Sequence, residues 1–173
     1  GCAGGVDVTA TGKYSNESVV GNSKGYRISV KGLTGGHSGM EIHLGRGNAN
    51  KLMNRILSQA SEKFGVQISS IDGGSLRNAI PRESLADISI EAHHEKSFME
   101  FINHKNSILK AEHKTTDPNL ILSAEPIATP KTALNKNFQG QLVRALYACP
   151  CGIYRMSPDI DRLVQTSNNL ARV

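Results

Sequence analysis

The stretch that decides the fold is Tyr26-Arg27-Ile28-Ser29-Val30-Lys31, together with the helical pattern that follows it. Apolar and polar residues alternate along this stretch, and a period of two residues predicts a strand with one buried face. After a glycine-rich loop over residues 32–47, the apolar period becomes that of a helix. Its apolar stripe is formed by Leu52, Met53, Ile56, Leu57, Ala60 and Phe64. The sequence therefore predicts a strand, a loop and an amphipathic helix, in that order.

Both ends of this predicted helix carry residues that are suited to capping. Asn48 or Asn50 can accept a hydrogen bond from the free N–H groups of the first turn. Gly65 follows the last apolar residue of the stripe, where a left-handed residue commonly ends a helix. The helix is thus expected to lie between Asn48 and Gly65.

Farther along the chain, the two periods recur in an order that specifies a sheet. Three more strands are predicted, at Val66–Ile71, Ala86–Ala92 and Leu120–Ala124. A second amphipathic helix, from Phe98 to Leu109, ends before Asp117-Pro118. The order β-α-β-β-α-β, from about residue 26 to residue 125, predicts an α+β fold of the ferredoxin-like type. We expect a four-stranded antiparallel sheet with two helices on one face.

Further elements are predicted on either side of this core. Val6–Thr11 alternates like a strand, an apolar stripe from Phe138 to Cys149 predicts a third helix, and Leu163–Val173 predicts a last strand. The chain opens on Gly1 without a Met, and its last strand has no polar cap. We therefore expect a single domain over residues 1–173 that was excised from a longer protein.

Composition and charge exclude several classes of protein. Apolar residues make up 38% of the 173 residues, which is enough for a folded core. No apolar run approaches the ~20 residues that a membrane-spanning helix needs. The net charge is +5, but the 20 Lys and Arg residues are scattered singly, which argues against a nucleic-acid interface.

The three cysteines do not predict a disulfide framework. Cys149 and Cys151 are too close in sequence for an easy bridge. A zinc site built from these two residues and Cys2 would lack the paired C-x-x-C spacing of such sites. We expect reduced thiols in a cytoplasmic protein.

The loop Gly32-Leu33-Thr34-Gly35-Gly36-His37-Ser38-Gly39 is the first candidate for a functional site. Its glycines allow positive φ and a close approach of another molecule, and they would present His37 at an exposed tip. An imidazole in that place can donate to a developing oxyanion. From the residues alone a second interpretation stays open, in which His37 only bonds a nearby carbonyl within a turn.

The loop matches no other catalytic motif. His37, Glu41 and His43 do not have the spacing of a zinc site, because H-E-x-x-H is missing. Ser38 lies in no G-x-S-x-G elbow, so a Ser-His-Asp hydrolase is poorly supported. The histidines at positions 93, 94, 104 and 113 are expected to be solvated and not to bind a metal.

The segment from Gly73 to Glu83 is the second candidate. Asn78 stands just before Pro81, which marks a strand start or an edge position, and its amide can bond a ligand carbonyl or carboxylate. Arg77 and Arg82 could provide a guanidinium fork for a substrate carboxylate. Taken alone, the segment is better explained as a turn Asn with two surface arginines.

Together the two segments carry a resemblance. G-G-H-S-G over residues 35–39, followed by N-A-I-P-R-E over residues 78–83, resembles the zinc-dependent carnosinase/aminoacylase family of metallopeptidases, and within it the bacterial enzymes that hydrolyse Xaa-His dipeptides. Supporting stretches are Gly1–Asp7, Lys31–Leu44, Gly47–Leu52, Leu76–Glu83 and Gln165–Leu170. The likeness is weakest over residues 93–135.

The resemblance implies a function that the residues alone do not. Such enzymes combine a catalytic domain, which holds two zinc ions, with a smaller ferredoxin-like lid or dimerisation domain. It implies that His37 stabilises the oxyanion of the scissile amide and that Asn78, Arg82 and Gly36 bind the substrate. The zinc ligands and the general base of the family lie outside this chain, so we expect no metal here and no hydrolysis by the chain alone.

The resemblance also implies a division of the chain and a set of partners. Residues 1–22 would be a strand and linker from the catalytic domain, residues 24–130 the ferredoxin-like core, and residues 131–173 an extra helix and a terminal strand. The partners would be a dipeptide, the catalytic domain and a second copy of the protein, with no nucleic acid and no membrane.

Two functions of other classes remain open at this point. Ferredoxin-like sheets often bind RNA, which requires aromatic residues on an open sheet face, and Tyr26 is the one candidate. A purely structural dimerisation domain would instead use an exposed edge strand.

Overall fold

The computed structural model describes residues 4–173. Three α-helices lie in this range: α1 (Ala49–Phe64), α2 (Glu95–Glu112) and α3 (Lys136–Ala148). The strands of the described range are β1 (Asn16–Ser18), β2 (Ser23–Lys31), β3 (Gly36–His37), β4 (Gln67–Gly73), β5 (Ala79–Ile80), β6 (Ser84–Glu91), β7 (Ile121–Ile127), β8 (Thr132–Leu134), β9 (Gly152–Met156) and β10 (Val164–Asn168). Short 3₁₀ turns occupy Ile42–Leu44 and Ala92–His94.

The centre of the molecule is the predicted four-stranded antiparallel sheet, in the order β4-β6-β2-β7. Tyr26, Ile28 and Val30 of β2 are buried in the core, and Ile28 pairs with Ala86 on one side and Ala124 on the other. The apolar stripes of α1 and α2 pack against the sheet, so that Ile28, Ile56, Ile88 and Phe98 are fully buried in one core. The predicted α+β, ferredoxin-like fold is confirmed.

The ends of α1 lie where the sequence placed them. Asn48 is the N-cap, and its side-chain oxygen accepts the N–H of Lys51 at 3.1 Å. Gly65 follows the last residue with a φ of 62°, and its N–H donates to the Ser61 carbonyl at 3.1 Å. Lys51 then links α1 to α3, because its Nζ donates to the carbonyls of Leu146, Tyr147 and Cys149 at 2.7–2.9 Å.

The predictions at the two ends of the chain were less accurate. The strand at Val6–Thr11 is wrong: these residues join no sheet, Val6 and Val8 are 88% and 87% exposed, and the first strand is β1, which pairs with β8. The tail does contain a strand, β10, but it is shorter than predicted and pairs with β9, which the sequence did not indicate. Alternation shows that a segment could be a strand, but it does not show whether a partner strand is available.

The main sheet does not support the RNA-binding interpretation, which needs an aromatic side chain exposed on the sheet for stacking against bases. Tyr26 points into the core, where it is 3% exposed and its ring centroid lies 5.5 Å from that of Phe98. Its hydroxyl donates to Glu95 Oε1 at 2.5 Å, and burial, together with that carboxylate, raises the pKa of Tyr26 to about 12. The one aromatic side chain that the RNA interpretation needed is therefore part of the core.

Candidate functional site

The two segments singled out in the sequence form one structure. β3 and β5 pair antiparallel as a two-stranded ribbon, with His37 opposite Ala79 and Gly36 opposite Ile80. The Ser38 N–H donates to the Asn78 carbonyl at 2.9 Å, which extends the pairing beyond the strands. We call β3, β5 and this extension the ribbon. It brings together residues that are far apart in sequence and outside the main sheet.

The ribbon borders an open cleft of about 780 Å³. All four residues expected at the site, Gly36, His37, Asn78 and Arg82, line this cleft. The lining also carries the acidic side chains of Glu41, Asp72 and Glu83. Cationic, anionic and amide groups are thus available around one space.

The imidazole of His37 is exposed, but one of its nitrogens is engaged by the backbone. Nδ1 accepts the N–H of Gly39 at 3.0 Å and the N–H of Met40 at 3.2 Å. A nitrogen that accepts carries no proton, so the neutral ring carries its proton on Nε2. The sequence left open that His37 donates to a nearby carbonyl. Among residues 4–173, however, the imidazole forms hydrogen bonds only as an acceptor, through Nδ1.

A carboxylate and a guanidinium hold the backbone around His37. Glu41 Oε2 accepts the His37 N–H at 2.8 Å, and Glu41 Oε1 accepts Arg46 Nη1 at 3.0 Å. The same Arg46 nitrogen donates to the Gly35 carbonyl at 2.5 Å. The His37 N–H lowers the pKa of Glu41, desolvation opposes this shift in part, and Arg46 adds to the lowering.

Two glycines permit this close packing. Gly35 has a φ of 63°, and a Cβ there would lie 2.5 Å from Arg82 Cγ and 2.9 Å from the Ile80 carbonyl oxygen. Gly36 has a φ of 142°, and a Cβ there would lie 2.5 Å from Arg46 Nη1. Any other residue would therefore be strained and would displace a side chain next to His37.

Arg82 is better placed than Arg77 to bind a ligand. The aliphatic stem of Arg82 crosses Gly35, and its guanidinium forms no ion pair within the described residues 4–173. Arg77, in contrast, donates to Asp7 Oδ2 at 2.7 Å. The two arginines therefore do not form the joint fork that the sequence suggested, and Arg82 is the cation free to bind a carboxylate.

No pattern in the sequence predicted the residue that holds both ends of the His37 loop. Asp117 is 1% exposed, its Oδ1 accepts the Thr34 N–H at 2.9 Å and its Oδ2 accepts the Gly47 N–H at 2.8 Å. Asp117-Pro118 was interpreted only as a helix stop. A single buried carboxylate that bonds two distant amides has no periodic signal in a sequence.

The last residues of the chain form the back of the site, and this also was not predicted. Asn169 Nδ2 donates to the Ala79 carbonyl at 2.8 Å, and Asn169 Oδ1 accepts Asn48 Nδ2 at 3.0 Å. Gly73 and Val173 exchange backbone hydrogen bonds at 3.2 and 3.0 Å. The ribbon is thereby tied to the start of α1 and to the edge of the main sheet.

With this geometry described, comparison with known proteins identifies the family. The family model described as "Peptidase dimerisation domain" matches residues 28–117, which is about half of the chain. The chain belongs to the peptidase dimerisation domain family. The resemblance inferred from the G-G-H-S-G and N-A-I-P-R-E motifs is thus confirmed.

Two dipeptidases are similar to this dimerisation domain over nearly all of its length. The cytosol non-specific dipeptidase of Escherichia coli (strain K12) is 39% identical over 173 residues, which are 100% of this chain and 36% of that protein. The crystal structure of aminoacylhistidine dipeptidase from Vibrio alginolyticus superposes with a TM-score of 0.89 at 34% identity, over 92% of this chain and 32% of that one. The dimerisation domain therefore spans about a third of the length of the proteins that it matches.

Within the part of the dimerisation domain that the structure describes, no three His, Cys, Asp or Glu side chains are grouped so that they could hold a metal ion. Cys2, which was considered as a zinc ligand, lies outside the described residues. Cys149 and Cys151 are free and half-buried, and burial raises the pKa of Cys151. No helix of the described range is long and apolar enough to cross a membrane.

Proposed function

We propose that this domain is the substrate-binding lid of a zinc dipeptidase that hydrolyses Xaa-His dipeptides. The observation that carries the proposal is the cleft, which is lined by a histidine whose Nδ1 accepts backbone N–H groups, by an amide side chain and by a guanidinium that forms no ion pair within residues 4–173. The names of the two similar proteins support the dipeptidase class, and one of them supports the preference for a C-terminal histidine.

In this proposal His37 acts on the transition state. Attack on the scissile amide converts its carbonyl oxygen to an oxyanion, and a preorganised donor close to that oxygen lowers the barrier. His37 Nε2–H is the donor, because Nδ1 is held by the Gly39 and Met40 amides. The proton stays on Nε2, and the ring does not need to reorient during the reaction.

In the proposal, Arg82 and Asn78 bind the dipeptide substrate before it reacts. Arg82 offers a fork of donors to the terminal carboxylate of the dipeptide, and the Asn78 amide can bond the same carboxylate or the peptide group. Gly36 keeps the backbone next to His37 free of a side chain. Closing the lid over the substrate would exclude water and fix the peptide against His37.

Within residues 4–173 no three His, Cys, Asp or Glu side chains are grouped to hold a metal ion, and we assign to this chain only the binding of the substrate and the donation from His37. We place the two zinc ions, which would supply an activated water, in a catalytic domain outside this chain. Residues 1–22 and 131–173 would then connect the core, residues 24–130, to that domain. A homodimer and a cytoplasmic location are proposed on the family name and on the cytosolic relative.

The test is hydrolysis of Xaa-His dipeptides by the full-length protein with His37→Ala, at equal zinc occupancy. Removing one oxyanion donor should lower kcat by about 10²–10³-fold and change KM much less. His104→Ala, an exposed histidine on α2, is the matched control and should retain the wild-type rate. A His37→Ala enzyme with the wild-type kcat would exclude the proposed role.

A further inference from the structure

We infer that Glu41, held by Arg46, is the positioning residue that keeps His37 as an Nε2–H donor. The inference deepens the proposed function and rests on it for its catalytic consequence. Neither Glu41 nor Arg46 was predicted to serve the site, and both lie outside the two motifs of the resemblance.

Glu41 contacts both polar groups of the His37 backbone. Its own N–H donates to the His37 carbonyl at 2.9 Å, and its carboxylate accepts the His37 N–H at 2.8 Å. In a capping box, the side chain of the first residue accepts N–H groups of the turn while an acidic side chain reaches back to the N–H of that first residue. Residues 37–41 have a related arrangement that is one residue longer than a capping box, with the imidazole Nδ1 of His37 in the place of a Ser or Thr oxygen.

This arrangement determines which nitrogen can donate. Within residues 4–173, the hydrogen bonds of the His37 ring are those that Nδ1 accepts from Gly39 and Met40. They form only while the turn keeps both N–H groups directed at the ring. In metal sites and catalytic triads, the tautomer of a histidine is likewise set by the partner of its other nitrogen. Here the partner is a turn, and Glu41 closes the turn.

Arg46 keeps the Glu41 carboxylate in place. Its Nη1 bonds Glu41 Oε1 and the Gly35 carbonyl, so the guanidinium connects the carboxylate to the backbone two residues before His37. The Arg46 side chain is 21% exposed and that of Glu41 is 38% exposed, so water screens the pair only in part. Hydrogen bonds to an ionised carboxylate are stronger than neutral ones, and Glu41, whose pKa is lowered by the His37 N–H and by Arg46, is ionised at neutral pH.

The first part of the experiment is an NMR measurement of the His37 imidazole in this chain. Long-range ¹H–¹⁵N spectra of the imidazole report which nitrogen carries the proton. Wild type should show His37 with the proton on Nε2 alone. Glu41→Ala should show a mixture of both tautomers, and Glu41→Gln, whose amide oxygen can still accept the His37 N–H, should remain close to wild type. Glu100→Ala, an exposed Glu on α2, is the control.

The kinetic arm uses the same variants in the full-length protein, with His37→Ala beside them. Glu41→Ala should lower kcat by about 10-fold, less than loss of the donor itself, and leave KM within about 2-fold. Circular dichroism confirms that each variant is folded, and Arg46→Met, which weakens the same support from the other side, replaces Glu41→Ala if that variant does not fold.

The two arms separate the failure of the inference from the failure of the proposed function. A His37 spectrum unchanged in Glu41→Ala and in Arg46→Met overturns the inference, whatever the rates are. A mixed spectrum together with a lowered kcat supports it. A mixed spectrum at the wild-type kcat keeps the positioning role of Glu41 but contradicts the proposed use of the Nε2 proton in catalysis.

Discussion

The core under the sheet and the ribbon beside it are held by different forces. In the core, α1 and α2 cover one face of β4-β6-β2-β7, and fully buried side chains such as Ile28, Ile88 and Phe98 supply the contacts. In the ribbon, the contacts are hydrogen bonds between side chains and the backbone: a carboxylate accepts a backbone N–H, and a guanidinium and an amide donate to backbone carbonyls. Apolar burial is non-directional, whereas hydrogen bonds fix angles. The core should therefore determine stability, and the ribbon should determine geometry.

The largest effect on stability is expected in the core. Phe98 is 0% exposed, and its ring packs against Tyr26 and Phe64 with centroids 5.5 and 5.9 Å apart. Phe98→Ala should lower the free energy of unfolding by about 3–5 kcal/mol, because it removes apolar contacts and leaves a cavity. Urea unfolding of this chain measures the loss, and Phe98→Leu should lose less. A loss below about 1 kcal/mol would show that the core is not the main source of stability.

A smaller effect, but one that reaches both regions, is expected at Asp117. Its carboxylate is buried, and the two backbone N–H groups that it accepts lie at the ends of the His37 loop. Asp117→Ala leaves the Thr34 and Gly47 N–H groups without their acceptor, which should cost about 2–4 kcal/mol of stability. It should also lower kcat in the full-length protein.

The control for this prediction is Asp161→Ala, since Asp161 is exposed in the turn before β10. That change should alter neither urea unfolding nor turnover. If Asp117→Ala lost stability while kcat stayed at the wild-type value, the loop ends would not control the geometry of His37. Asp117 would then contribute to stability alone and would not connect the core to the ribbon.

The smallest effect is the pH dependence of the ribbon. The pKa of Glu41 is lowered in the folded chain from its ordinary value of 4.5. A lowered pKa means that the contribution of Glu41 to stability is fully present above about pH 4.5 and is lost as the pH falls through the folded pKa. Glu95 and Glu112 have lowered pKa values for the same kind of reason, since Lys24 and Arg55 bond them.

Urea unfolding measured from pH 6 down to about pH 3 checks this sign. The free energy of unfolding of wild type should fall over the acid side of that range, and Glu41→Gln should fall less steeply because it has no carboxylate to protonate at that position. If the free energy of unfolding of Glu41→Gln fell as steeply as that of wild type, or more steeply, protonation of Glu41 would not contribute to the loss of stability in acid.

The same contrast explains what the sequence could predict. The core elements were predicted close to their observed bounds, because β2 and α1 carry the periods of two and 3.6 residues that a half-buried strand and an amphipathic helix require. The caps Asn48 and Gly65 were predicted because their chemistry is local. At Val6–Thr11 the period was present but no partner strand was available, so the prediction was wrong.

The site was predictable only in part. Gly36, His37, Asn78 and Arg82 were named from two motifs, and the pairing of β3 with β5 puts them around one cleft. Glu41, Arg46 and Asp117 were missed as supports, because hydrogen bonds between a side chain and the backbone of an irregular loop follow no period. Their positions become apparent only when the loop is folded.

The most direct test of the central claim compares two ligands of the full-length protein. One is a phosphinic dipeptide that imitates the tetrahedral transition state, and the other is histidine, a product of the proposed reaction, which has no such centre. If His37 acts on the oxyanion, His37→Ala should weaken binding of the phosphinic dipeptide by about 10²–10³-fold and leave the affinity for histidine almost unchanged. Equal weakening of both ligands, or of neither, would contradict the account.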